Sequence, residues 1–144
     1  MIALLQQVAG MAKLLTDGTE FTTNVNNQAE IVYHQHVMPP RPQGQAADVV
    51  PFCLVKVRNF TLYPRQGQQI ELVYCLYNED RALAMADMAT LAGLVKPLAR
   101  RGQQFGGWKL TEITGHAGEE ETGVQPHPEY YLTVRLDFTA PPIN

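Results

Sequence analysis

The chain has 144 residues, 45% of them hydrophobic and 17% charged, with a formal net charge of −3. That is length and apolar content enough for one domain, residues 1–144, with a buried core, and it excludes wholesale disorder. The mild acidic balance, with Lys and Arg scattered, argues against a dedicated nucleic-acid binder, and no apolar run approaches the roughly 20 residues that span a bilayer.

The first stretch, residues 2–15, has a helical apolar stripe in Leu4, Val8, Met11 and Leu15, closed by Asp17-Gly18. Its polar face is thin, with Gln6, Gln7 and Lys13, so the helix is expected to be nearly enclosed or to meet another subunit. It lacks the basic lead and small-residue cleavage site of a signal peptide. Residues 19–27 are polar and turn-rich. Residues 30–37 read as a strand with Ile31, Tyr33, Gln35 and Val37 on one face and Val32, His34 and His36 on the other. The prolines at 39, 40 and 42 then impose an extended loop, because proline fixes φ and cannot donate to a sheet ladder.

A second strand is expected over residues 51–63. Cys53, Val55 and Val57 face one way, and Leu54, Lys56 and Arg58 the other. Phe60 and Leu62 then turn that second face apolar, and such a change of character suggests a bulge or a projecting end. Pro64-Arg65-Gln66-Gly67 makes a hairpin turn into a third strand ending at Tyr77. There Ile70, Leu72, Tyr74 and Leu76 alternate with Glu71, Val73, Cys75 and Tyr77. Cys53 and Cys75 are expected as small apolar core residues of a reduced cytosolic protein, with a disulfide between neighbouring strands as the alternative.

Asn78 or Asp80 can cap the helix that starts near Arg81. Ala84, Met88, Leu91, Val95 and Leu98 form its stripe, cations at Lys96, Arg100 and Arg101 suit its negative end, and Pro97 must kink or split it. Residues 102–107 read as a flexible connector, 108–114 as a strand, and 115–128 as a mobile polar loop carrying Glu119, Glu120 and Glu121. In the last strand Tyr130, Leu132, Val134, Leu136 and Phe138 alternate with Tyr131, Thr133, Arg135 and Asp137. Short connections between strands imply an α+β fold: a mostly antiparallel sheet of about four to five strands with two main helices on one face.

Catalytic patterns are absent from the sequence. The chain contains no serine, and its cysteines sit mid-strand among apolar neighbours, where a thiol is usually inert. No phosphate-binding glycine loop occurs, and three adjacent glutamates form a charge run rather than an acid/base pair. His34 and His36 share a strand face and could hold a metal only with a third ligand, and none stands at a recognised spacing. No catalytic residue, metal site or cofactor is assigned. Arg58, Phe60, Leu62 and Tyr63, where the second strand turns from basic to apolar, are the candidate contacts to another subunit or to an assembly partner.

The first helix over 4–15, the hairpin over 52–77, the helix over 78–101 and the closing strand through Tyr131-Leu132-Thr133-Val134 together resemble the tail terminator (tail completion) proteins of long-tailed bacteriophages and prophages. The resemblance covers most of the chain and lies in its order of elements. It implies a structural virion assembly protein, not an enzyme. It also implies a homo-oligomeric ring, usually a hexamer, that caps the tail tube, stops its growth and presents a surface for head joining. The partners implied are copies of itself, the tail tube protein and a head-completion or neck protein, with no membrane and no sequence-specific nucleic acid. The implied location is the virion, after assembly in the bacterial host cytoplasm. Acidic residues facing a DNA passage would repel phosphate, a role that Glu119, Glu120 and Glu121 could fill. Two other readings are another head-tail joining component and a small metal-dependent enzyme using His34 and His36.

Overall fold

The computed structural model describes residues 2–21, 30–35, 51–61, 66–100, 104–105, 107–119 and 129–140. Its centre is the strand β3, Gly67–Tyr77, which is paired along both sides. Antiparallel neighbours are β2, Phe52–Thr61, on one side and β6, Glu129–Thr139, on the other. The sheet continues from β2 to β1, Val32–Gln35, and from β6 through β5, Trp108–Glu119, to β4, Gln104–Phe105. The order is therefore β1-β2-β3-β6-β5-β4.

The described residues form an α+β architecture with two α-helices and six strands, against an expectation of about four to five strands. The additional strand is β4, in residues expected as a flexible connector. Phe105 pairs with Trp108, and Gly107, at φ 91°, supplies the positive φ that a two-residue hairpin turn requires. The sheet is mixed rather than wholly antiparallel, because β1 runs parallel to β2.

Helix α1 spans Ile2–Thr16 and helix α2 spans Arg81–Val95. Asp80 is the N-cap of α2, its carboxylate accepting from the backbone N–H groups of Ala82 and Leu83 at 3.0 and 3.2 Å. Asn78 holds the approach, its side-chain oxygen accepting from Asp80 N–H at 2.8 Å. Pro97 splits the helix: α2 stops at Val95 and a 3₁₀ turn, Lys96–Ala99, follows. The stripe Ala84, Met88, Leu91, Val95 and Leu98 is buried as the spacing requires.

In α1 the buried line is shifted from the expected one. Leu4 and Val8 are inside, joined by Leu5, Ala9, Ala12 and Thr16, while Met11 and Leu15 are half-buried and Leu14 is exposed. Gly18, at φ 77°, ends it, and Thr19 N–H returns to Thr16 C=O at 3.2 Å.

Both helices pack into a single core on one face of the sheet. Cys53 and Val55 of β2, Ile70 through Leu76 at alternate positions of β3, and Tyr130 through Phe138 at alternate positions of β6 form that face. The other face carries a small apolar cluster of its own. Phe52 and Cys75 are buried there against half-buried Leu54, Tyr77 and Tyr131. Cys53 and Cys75 thus lie on opposite faces and neither is in a disulfide, which removes the disulfide alternative. Burial pushes the Cys53 thiol well above its ordinary pKa, so it stays protonated as a core group.

The expected loop at 115–128 also changes. Strand β5 continues to Glu119, which lies opposite Tyr130, so residues 115–119 belong to the sheet. Edge cases of this kind arise because Gly115, His116, Ala117 and Gly118 have no strand-like pattern of their own. Their pairing is set by the strong alternation of β6. Glu120 and Glu121 lie outside the described residues.

Candidate functional site

The most structured polar feature is on the sheet face that carries no helix among the described residues. Register places Lys56 of β2 and Arg135 of β6 directly across from Glu71 of β3. A bulge between Val57 and Asn59 makes Arg58 the extra residue of β2, and its guanidinium also reaches Glu71. Arg58 Nη1 and Arg135 Nε both donate to Glu71 Oε2, at 2.9 and 2.8 Å, and Lys56 Nζ lies 3.4 Å from Oε1. The glutamate side chain is 6% exposed, against 40%, 44% and 41% for Lys56, Arg58 and Arg135.

The carboxylate therefore sits under a cover of three cations. Burial alone would push its pKa up, but the hydrogen bonds from Arg58 and Arg135 and the charges of Lys56 and Arg135 outweigh that and hold it below the ordinary carboxylate value. Around this group the face is graded. Toward one end lie Leu54, Val73 and Thr133, then the apolar cluster of Phe52, Cys75, Tyr77 and Tyr131. Toward the other end lie Gln69 and Asp137, hydrogen-bonded at 2.9 Å, with Glu112 across from Asp137.

The expected contact residues fall differently. Arg58 is committed to Glu71 but half-exposed. Phe60 is exposed, at 49%, near the described end of the β2–β3 hairpin. It does not share the face of Lys56 and Arg58, as strict alternation had implied. The bulge shifts the register, so Phe60 opposes Gln68, which lies on the helix-side face with Ile70. Phe60 and Gln68 line a cleft of about 200 Å³ together with Asn59, Asp137 and Phe138, and the buried amide of Gln68 has no hydrogen-bond partner. Thr61 pairs with Gly67, and Gly67 with Thr139 of β6, so the described hairpin ends level with its neighbour. Leu62 and Tyr63 lie outside the described residues.

Of the two histidines considered for a metal, His34 is on β1, opposite Leu54, with a buried and unpartnered Nε2. His36 lies outside the described residues. Among the described residues no group of three potential metal ligands occurs. No helix among them is long and apolar enough to cross a membrane.

A second polar group joins the short edge strand to α1. Tyr33 donates its hydroxyl to Ala12 C=O at 3.1 Å and lies 2.7 Å from Thr16 Oγ1 and 3.1 Å from Tyr74 Oη. The two rings meet edge to face. Burial raises the Tyr33 hydroxyl to a pKa of about 12, so it is a neutral hydrogen-bonding group and not an acid/base candidate.

In the sequence Glu71, Lys56 and Arg135 are legible only as face residues of three strands. Their convergence depends on register, and the signal present in the sequence was a lone carboxylate at mid-strand on a face otherwise holding Val73, Cys75 and Tyr77. No protein-family model matches the chain, and no curated protein matches it in sequence.

Proposed function

We propose that the chain is a structural subunit of a phage or prophage virion that assembles into a ring of the tail-terminator kind, capping the tail tube and presenting a surface for head joining. The observation that supports this most is the division of the molecule into unlike surfaces. Helices cover one face of the sheet, while the other is a graded basic and apolar face. The described end of the hairpin adds the exposed ring of Phe60. A ring subunit needs two different patches that meet head to tail, and a contact of that type closes when its rotation does. Exposed aromatics and half-exposed arginines are the side chains that interfaces favour. Nothing in this role requires a catalytic pocket, a metal or a cofactor.

The test is electron microscopy of the purified protein, alone and mixed with tail tubes, beside a Phe60→Asp variant. Rings and capped tubes are expected for the wild type. The variant is expected to keep its melting temperature and lose both. A wild type that stays monomeric and leaves tubes uncapped refutes the reading. A Phe60→Asp variant that unfolds removes Phe60 from the interface and puts it in the core.

A further inference from the structure

The cluster at Glu71 carries more positive charge than its own carboxylate needs. Three cations converge on one buried glutamate, and all three remain about two-fifths exposed. Arg58 engages it through Nη1 and Arg135 through Nε, and a guanidinium has further N–H donors beyond the one used. Glu71 thus holds three flexible side chains in fixed positions with donors to spare, which lowers the entropy lost when a second anion arrives.

The surroundings select among anions. Asp137 and Glu112 lie on the same face toward one end, and Glu129 lies beyond the apolar cluster at the other. A polyanion that tracks across the face would meet these carboxylates, so a nucleic-acid backbone is disfavoured. A single acidic side chain would not meet them. Immediately beside the cations are Leu54 and Val73, opposite one another, with Tyr131 and Tyr77 beyond.

We propose that this helix-free face is a docking surface for an extended protein segment that sets an acidic side chain on Lys56, Arg58 and Arg135 and an apolar side chain on Leu54 and Val73. The proposal names the chemistry that the interface of the proposed assembly takes, and it rests on that role only for the partner being another virion subunit.

The experiment is fluorescence anisotropy on the full chain with a labelled, end-blocked Leu-Thr-Glu-Thr peptide, whose leucine and glutamate fall on one side of an extended chain. Its glutamine analogue and a short single-stranded DNA serve as the other probes. The acidic peptide is expected to bind in a salt-dependent way, and the analogue about tenfold more weakly. Lys56→Gln is expected to weaken acidic-peptide binding about tenfold, and Glu71→Gln to tighten it, because the competing internal carboxylate is gone. Lys13→Gln, at an exposed position of α1 away from this face, should change nothing. Arg135→Gln removes a direct hydrogen bond to the buried Glu71 and would confound binding with stability, so Lys56, at 3.4 Å from Oε1, carries the test.

Absence of peptide binding overturns the proposal, as does binding of the DNA in its place. Unchanged affinity in both Lys56→Gln and Glu71→Gln overturns it as well. Peptide binding by a subunit that forms no rings keeps this inference and sinks the assembly role, and rings from a subunit that ignores the peptide do the reverse.

Discussion

Replacing Val134 by aspartate tests the assignment of faces directly. Val134 is 7% exposed, lies opposite Leu72 of β3 and Gly115 of β5, and belongs to the core shared with both helices. Thr133, its neighbour in the chain, points to the helix-free face beside Val73 and is half-buried. Val134→Asp loses the burial of the valine, about 1.5–3 kcal/mol. It also leaves a buried charge without a partner, a further ~3–5 kcal/mol. The sum is comparable with the whole stability of an ordinary domain, about 5–15 kcal/mol. With a urea slope of about 1–3 kcal/mol/M, the midpoint should fall by roughly 2–4 M or the variant should be unfolded from the start. Thr133→Asp puts the same group on a face that already carries Arg135, and should move stability by no more than about 0.5–1 kcal/mol. Urea unfolding followed by Trp108 fluorescence and by circular dichroism measures both. Acid should partly restore the Val134→Asp variant, since a buried carboxyl is tolerated when protonated. Equal losses in the two variants would refute the division of faces.

Three further outcomes follow from the geometry. Glu71 has a depressed folded pKa, so its stabilisation is complete above the unfolded carboxylate value of about 4.3 and disappears as pH falls through the lower folded value. Urea midpoints at about pH 7 and about pH 3 should therefore drop less for Glu71→Gln than for the wild type, and an equal drop would count against the cation cover. Tyr33→Phe removes the hydroxyl that meets Thr16, Ala12 and Tyr74, and should cost about 1–2 kcal/mol in thermal unfolding, with no loss if the group is incidental. Gly10 is exposed in the middle of α1 with nothing within 4 Å of an added Cβ, so Gly10→Ala should stabilise the chain by about 0.5–1 kcal/mol, measured as a rise in melting temperature.

The strands and helices themselves are written in local patterns. Alternation in β3 and β6 and the stripe of α2 each concern side chains a few residues apart, so periodicity reveals which of them go inside. The cap at Asp80 and the break at Pro97 are equally local, because each acts on its own backbone. What the sequence by itself determined is therefore the α+β class, the two helices and the core residues of β3, β6 and α2, whereas the buried line of α1 came out shifted. The tertiary structure decided how those pieces meet. Parallel pairing of β1, the extension of β5 to Glu119 and the pairing of β4 depend on partners distant in the chain. The bulge at Arg58 has the largest consequence, since one extra residue turns Phe60 to the opposite face and brings Arg58 onto Glu71. A side-chain period of two makes any such shift invert everything beyond it. The convergence of Lys56, Arg58 and Arg135 on one carboxylate could come only from three strands in fixed register, because no two of those strands' contributions to it are set by local sequence alone.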